Sequence, residues 1–148
     1  MYYKIPFDFG ALMAQEDGEQ PLPIPTCSLY ESIGQHLHTL IITRMGENRF
    51  DKEYGNSIWE LEFSNGISDT QWNEHFSESV RVIVKAYEPR ITGCKVTIHS
   101  ELVEKTWPMR NYTEVKKKVT ILIKAKITDT GEDYSFKTDL FLSPMSVD

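Results

Sequence analysis

Four histidines, two cysteines and 22 acidic residues carry whatever metal, redox or acid–base chemistry this 148-residue sequence can perform. His36 and His38 are two apart in a helical pattern, so they point to different faces and cannot jointly hold a metal; both read as surface histidines. His75 and His99 have no neighbouring ligand pattern. Cys27 and Cys94 lack Cys-x-x-Cys spacing, which argues against a zinc or dithiol signature and for two buried thiols in a reducing compartment. Carboxylates are plentiful, among them Glu31, Glu47, Asp51, Glu53, Glu60, Glu62 and Glu88. Glycoside hydrolysis needs two of them facing across a cleft, roughly 5–10 Å apart, and no spacing singles out such a pair. A phosphate-binding glycine loop, a nucleophile elbow and a metalloprotease helix motif are all missing. The expectation is a chain without catalysis, cofactor or metal.

Two polar groupings stand out. Glu88-Pro89-Arg90 falls where a helical pattern gives way to an alternating one. Residues two apart on an extended segment share a face, so Glu88 and Arg90 can project together toward a partner, with Pro89 stiffening the bend. The plainer alternative is a helix stop flanked by two surface charges. The second grouping is the polar stretch from Arg44 to Ser57, long for a connection in a compact domain. Phe50 and Tyr54 favour order, and Gly55 suits a tight turn or a close backbone approach. Arg44, Glu47, Arg49, Tyr54 and Gly55 are its candidate partner-binding residues, against the alternative of a connector packed on its own domain.

The elements that position these groups follow from periodicity. Residues 1–25 read as an extended arm ending in Pro21-Leu22-Pro23-Ile24-Pro25, and residues 26–148 as one domain. Ser28 with Glu31 forms a capping box, and Leu29, Ile33, Leu37, Leu40 and Ile41 make one apolar stripe of a helix stopping near Thr43. Trp59, Leu61 and Phe63 alternate with polar residues, which suggests a short strand or a helical turn before the turn signal Ser64-Asn65-Gly66. Ser68 or Asp69 caps a second helix whose face carries Trp72, Phe76, Val80, Ile83, Val84 and Tyr87, and Pro89 ends it. From Ile91 the period becomes two: Cys94, Val96 and Ile98; then, beyond a looser stretch at Trp107-Pro108, Val119 to Ile127; then, beyond a turn at 129–133, Tyr134 to Leu142. Two N-terminal amphipathic helices followed by an antiparallel sheet define a single α+β domain.

Hydrophobic residues at 40% and charged residues at 26% are ordinary for a globular protein. The net charge of −6 argues against nucleic-acid binding; Lys116-Lys117-Lys118 is the one dense basic run and reads as the solvated start of a strand. No basic and then apolar leader opens the sequence, and no stretch approaches the roughly 18 apolar residues of a membrane span, so a cytoplasmic protein without membrane insertion is expected.

Glu88-Pro89-Arg90-Ile91, after a helix ending in Tyr87 and before an alternating strand, resembles the Glu-Pro-Arg motif of the phage baseplate wedge and type VI secretion TssE-like family. Gly46-Glu47-Asn48-Arg49 with Glu53-Tyr54-Gly55 is similar to that family's Gly-Glu-Arg and Pro-Glu-Tyr-Gly stretch, with Lys52 in place of the proline and Asn48 interrupting the first motif. The resemblance implies a structural wedge subunit of a contractile injection system, type VI or phage-like, that joins wedge to sheath and initiates sheath assembly. It implies larger wedge subunits as partners, met through Glu88, Pro89 and Arg90. Sheath subunits would add by strand pairing, with copies arranged around a tail axis. The alternatives are a cell-wall muramidase using Glu47, Asp51 or Glu88 as acids, and a generic small adaptor.

Overall fold

Serine caps start both helices in the same way. The structure, a computed structural model, describes residues 2–5, 24–58, 68–107, 109 and 112–142. In helix α1 (Leu29–Ile42) the Ser28 hydroxyl accepts from Glu31 N at 3.2 Å while the Glu31 carboxylate accepts from Ser28 N. Helix α2 (Asp69–Tyr87) repeats the arrangement with Ser68 and Gln71. Each box satisfies two amide donors that a helix start otherwise leaves without partners. Thr43 closes α1, and Glu88, kept out of helical geometry by the proline after it, closes α2.

Three strands follow: β3 (Ile91–Trp107), β4 (Tyr112–Ile127) and β5 (Asp133–Leu142), antiparallel in the order β3-β4-β5. Central β4 turns Val119, Ile121, Ile123, Ala125 and Ile127 inward, and these join the stripes Ile33, Leu37, Leu40 and Ile41 of α1 and Trp72, Phe76, Val80, Ile83 and Val84 of α2 in one hydrophobic cluster. Burying such side chains is the main stabilising term, and truncating one to alanine costs about 2–5 kcal/mol. A bulge between Thr92 and Lys95, with Gly93 at φ 64°, bends β3 as it leaves the helix.

Two features depart from the sequence expectation. The helices do not open the fold: β1 (Tyr2–Tyr3) pairs antiparallel with β2 (Thr26–Cys27) ahead of both, and strand residues outnumber helical ones among those described. The first residues of the arm are thus part of a small ladder, which no two-residue pattern could announce. And β3 runs beyond the alternation read at Cys94, Val96 and Ile98 as far as Trp107, which pairs with Tyr112; of the looser stretch expected at Trp107-Pro108, Pro108 lies outside the described residues. Glu101, Leu102 and Glu104 are exposed there, so no buried face imposes strict alternation. The expected strand or turn at 59–63, the turn signal at 64–66 and most of the arm lie outside the described residues.

The connection after α1 is well tied. Arg44 and Asn56 form a parallel bridge, Met45 N donates to Asn56 O, Asn56 N to Thr43 O and Gly46 N to Lys52 O. The Asn48 side chain accepts from Phe50 N and Asp51 N, and buried Asn56 accepts from Ile58 N and the Ser79 hydroxyl, fastening the loop to α2. Gly55 makes this closure possible: φ is 116°, and a Cβ there would stand 2.8 Å from Thr43 O and 2.9 Å from Arg44 O. Gly55→Ala is therefore expected to lose about 2 kcal/mol or more of stability in urea unfolding, and a neutral result would show that the loop yields freely.

Candidate functional site

Glu88 sits where α2 stops, and its side chain turns inward. It is 1% exposed. Burying a carboxylate is tolerated only when its lone pairs are matched, and here they are. Oε1 accepts from Arg90 Nε at 2.7 Å and from Arg90 N at 3.2 Å; Oε2 accepts from Arg90 Nη2 at 2.7 Å. His36 Nδ1 lies 2.8 Å from Oε2, and a carboxylate with only lone pairs to offer requires the ring proton on that nitrogen. The two-pronged guanidinium contact is the strong form of the ion pair. The third arm of Arg90, Nη1, donates to the Ser32 hydroxyl at 2.8 Å. Ser32 and His36 are one turn apart on α1, so a single buried charge fastens α1 to the junction of α2 and β3.

The surroundings extend the cluster in three directions. The Arg90 guanidinium lies over the Tyr2 ring, 5.5 Å from its centre, which brings β1 to the corner. Thr128 donates its hydroxyl to Pro89 O at 2.8 Å and its amide to Arg90 O at 2.9 Å, pinning the bend to the end of β4. Tyr54 stacks on His36 and meets Tyr87 edge-on, and the Tyr87 hydroxyl donates to Asp51 at 2.9 Å. The two groupings singled out in the sequence, the Glu-Pro-Arg corner and the loop after α1, are thus neighbours joined through His36 and Tyr54.

Burial pushes the Glu88 carboxyl up, but the hydrogen bonds from Arg90 and His36 and the charge of Arg90 outweigh it and bring its pKa down to about 2. Glu88 is accordingly a permanent anion, and its field is felt nearby. Burial first and Glu88 second raise the Tyr54 hydroxyl and the Cys94 thiol, and they raise Tyr134 to about 12 with Arg90 opposing. A general acid for glycoside cleavage needs the opposite environment, one that keeps the proton on the carboxyl near neutrality.

The sequence expectation for this corner needs one correction. Glu88 and Arg90 do share a face, but Glu88 is not displayed to a partner; it is spent inside, holding Arg90. Arg90 keeps 28% of its side chain accessible and Pro89 is exposed, so the outer surface of the corner is theirs. His36 is the residue that sequence reasoning missed. It stands three after Ile33 and four before Leu40, on the flank of the apolar stripe, and that spacing was the available signal for a half-buried position. His38 points away and is exposed. Arg44, Glu47 and Arg49 are exposed on the loop, where the Glu47 carboxylate accepts from Arg44 N; Tyr54 is half-buried and Gly55 buried. Phe50, not singled out as a contact residue, is 94% exposed at the loop tip. Among the described residues no three metal-binding side chains come together, and no helix is long and apolar enough to cross a membrane.

Removing Arg90 would leave Glu88 charged, buried and short of donors, so Arg90→Ala is expected to cost about 3–5 kcal/mol in urea unfolding. Because the folded pKa of Glu88 lies below its ordinary 4.5, its contribution is present above that value and is lost as pH falls toward about 2. That limb amounts to about 3 kcal/mol and should be absent from the stability profile of Glu88→Gln. Identical acid limbs in both proteins would contradict the assignment.

The fold has known relatives. It is similar to the crystal structure of a protein described as a tail lysozyme from Geobacter sulfurreducens, with a TM-score of 0.57, 14% identity, and coverage of 84% of this chain and 100% of the other. It is also similar to a chain of the baseplate complex from the type VI secretion system, with a TM-score of 0.50, 14% identity, and coverage of 74% and 90% respectively. No curated protein matches the chain in sequence. At the level of family, residues 27–132 match the baseplate wedge protein gp25 family, a span holding both capped helices, the loop, the Glu-Pro-Arg corner and the first two long strands. The chain belongs to the baseplate wedge protein gp25 family.

Proposed function

We propose that this chain is a non-catalytic wedge subunit that joins a contractile baseplate to its sheath and provides the edge on which the first sheath subunit adds. The supporting observation is the state of β5: it lies at the margin of the sheet and, among the described residues, pairs with β4 alone. Ile127 N donates to Glu132 O, so down this unbroken register the backbone groups of alternate residues, 134 to 140, point at β4. Those of Ser135, Lys137, Asp139 and Phe141 point outward, available to an incoming strand.

Wedge contact falls to the Glu-Pro-Arg corner and the loop after α1. Pro89 and the accessible side of Arg90 adjoin the loop of Arg44, Glu47, Arg49, Tyr54 and Gly55, whose tip presents Phe50 on a turn pre-formed by Asn48. An exposed aromatic on a hydrogen-bonded loop binds with little ordering cost, which is the character of an interface anchor. The larger wedge subunits are the partners in this reading. Copies are set around the tail axis, assembly takes place in the cytoplasm, and neither membrane nor nucleic acid takes part. The type VI baseplate chain that shares the fold supports assembly with other baseplate subunits. Of the three acids open to the muramidase alternative, Glu88 is buried and its carboxyl held ionised.

One reconstitution separates the two surfaces. Asp139→Pro removes an outward amide while sparing the ladder to β4, and should abolish sheath polymerisation from assembled baseplates without releasing the subunit from the wedge. Phe50→Ala should do the reverse, weakening co-purification with the larger wedge subunits by about tenfold or more. Normal sheath growth on the Asp139→Pro baseplate would sink the strand-addition reading.

A further inference from the structure

The outward face of the sheet carries charge that neither the core nor the wedge reading uses. Along central β4 the outward positions are Lys118, Thr120, Leu122, Lys124 and Lys126. Lys124 sits directly opposite Lys95 on β3, and Lys137 on β5 is its diagonal neighbour across the Ser135 pairing. All three are exposed, and none makes an ion pair among the described residues. Facing side chains in a ladder stand about 5 Å apart, and like charges there oppose folding. The chain as a whole is at −6, so this concentration is local and contrary to its average.

Solubility alone does not account for the arrangement. Lysines blunt the margins of sheets, where unpaired strands invite aggregation, but Lys124 lies on the central strand and guards no margin. A threonine would fit the pleat there as well and would not repel Lys95. Leu122, half-buried between the lysines, adds an apolar contact at the centre of the patch. Acidic groups sit at its periphery. Asp133 pairs with Lys126 at 3.6 Å, Glu101 with Lys118 at 3.8 Å, and Asp139 accepts from Thr120 at 2.8 Å. That border is unfavourable for a polyphosphate, whose charge is dense and of one sign, and suits a polypeptide of mixed sign with an acidic centre.

We propose that this face is a docking surface for an acidic segment of another protein, received by Lys95, Lys124 and Lys137 around Leu122. Exposed charge pairs contribute little by themselves, so the face works through complementarity and salt-sensitive association.

The test uses the full chain and a fluorescein-labelled peptide alternating glutamate and glycine, followed by anisotropy at low and physiological salt. The peptide is expected to bind, to weaken with salt, and to lose about tenfold or more in affinity with Lys124→Thr/Lys137→Thr, while Lys85→Ala binds as the wild type does. The double variant should melt no lower than the wild type, because it relieves the repulsion with Lys95. Undiminished binding by the double variant, no peptide binding at all, or tighter binding of a single-stranded oligonucleotide of equal charge would each overturn the proposal. A synthetic peptide interrogates this face without any baseplate partner, so failure here leaves the wedge and sheath assignments untouched.

Discussion

A carboxylate removed from water must be given back its hydrogen bonds, and the architecture of this protein turns on how Glu88 is repaid. Three bonds come from Arg90 and one from His36, and Arg90 in turn reaches Ser32. The donors come from α1 and from the start of β3, while Glu88 itself closes α2. Apolar packing would hold the helices against the sheet over a range of small slides. A charge with so few acceptable geometries selects one of them, which is the role of buried ion pairs best supported in other proteins.

Everything near the corner inherits that selection. Tyr54 is placed by stacking on His36, and Tyr54 and Asn56 then set the loop whose tip carries Phe50. Gly55 admits the backbone crossing that closes the loop. Tyr2 lies against the free side of Arg90 and so orients the first strand of the arm. Under the proposed function such stiffness has a use, since a subunit that assembles with others must hold its contact surfaces at fixed angles. The corner is joined to the end of β4 by the two bonds from Thr128, and β5, which among the described residues pairs with β4 alone, follows from there.

How much of this was legible beforehand depends on how far apart the interacting residues are. At the second helix only a cap at Ser68 or Asp69 was readable, and the structure adds Gln71, while the capping box at Ser28 was readable because cap and partner are three residues apart. So were the apolar stripes and the two-residue alternation of β4, which reflect one buried face. Gly55 announced a close approach by its type. What could not be read was the inward turn of Glu88, because His36 and Ser32 are more than fifty residues away and only the fold brings them near. The pairing of β1 with β2 escaped for the same reason: two residues have no period. The lysines of the outer face were visible only as alternating polar positions, and their convergence needed the register across three strands.

The central claim is that Glu88 and Arg90 act as one internal unit on which the corner depends, and a double-mutant cycle tests it most directly. Glu88→Gln, Arg90→Gln and the pair would be unfolded in urea at neutral pH. The account predicts a coupling energy of about 2 kcal/mol or more, with the double variant markedly less impaired than the sum of the singles. Strict additivity, with coupling near zero, would show two independent surface charges and contradict it.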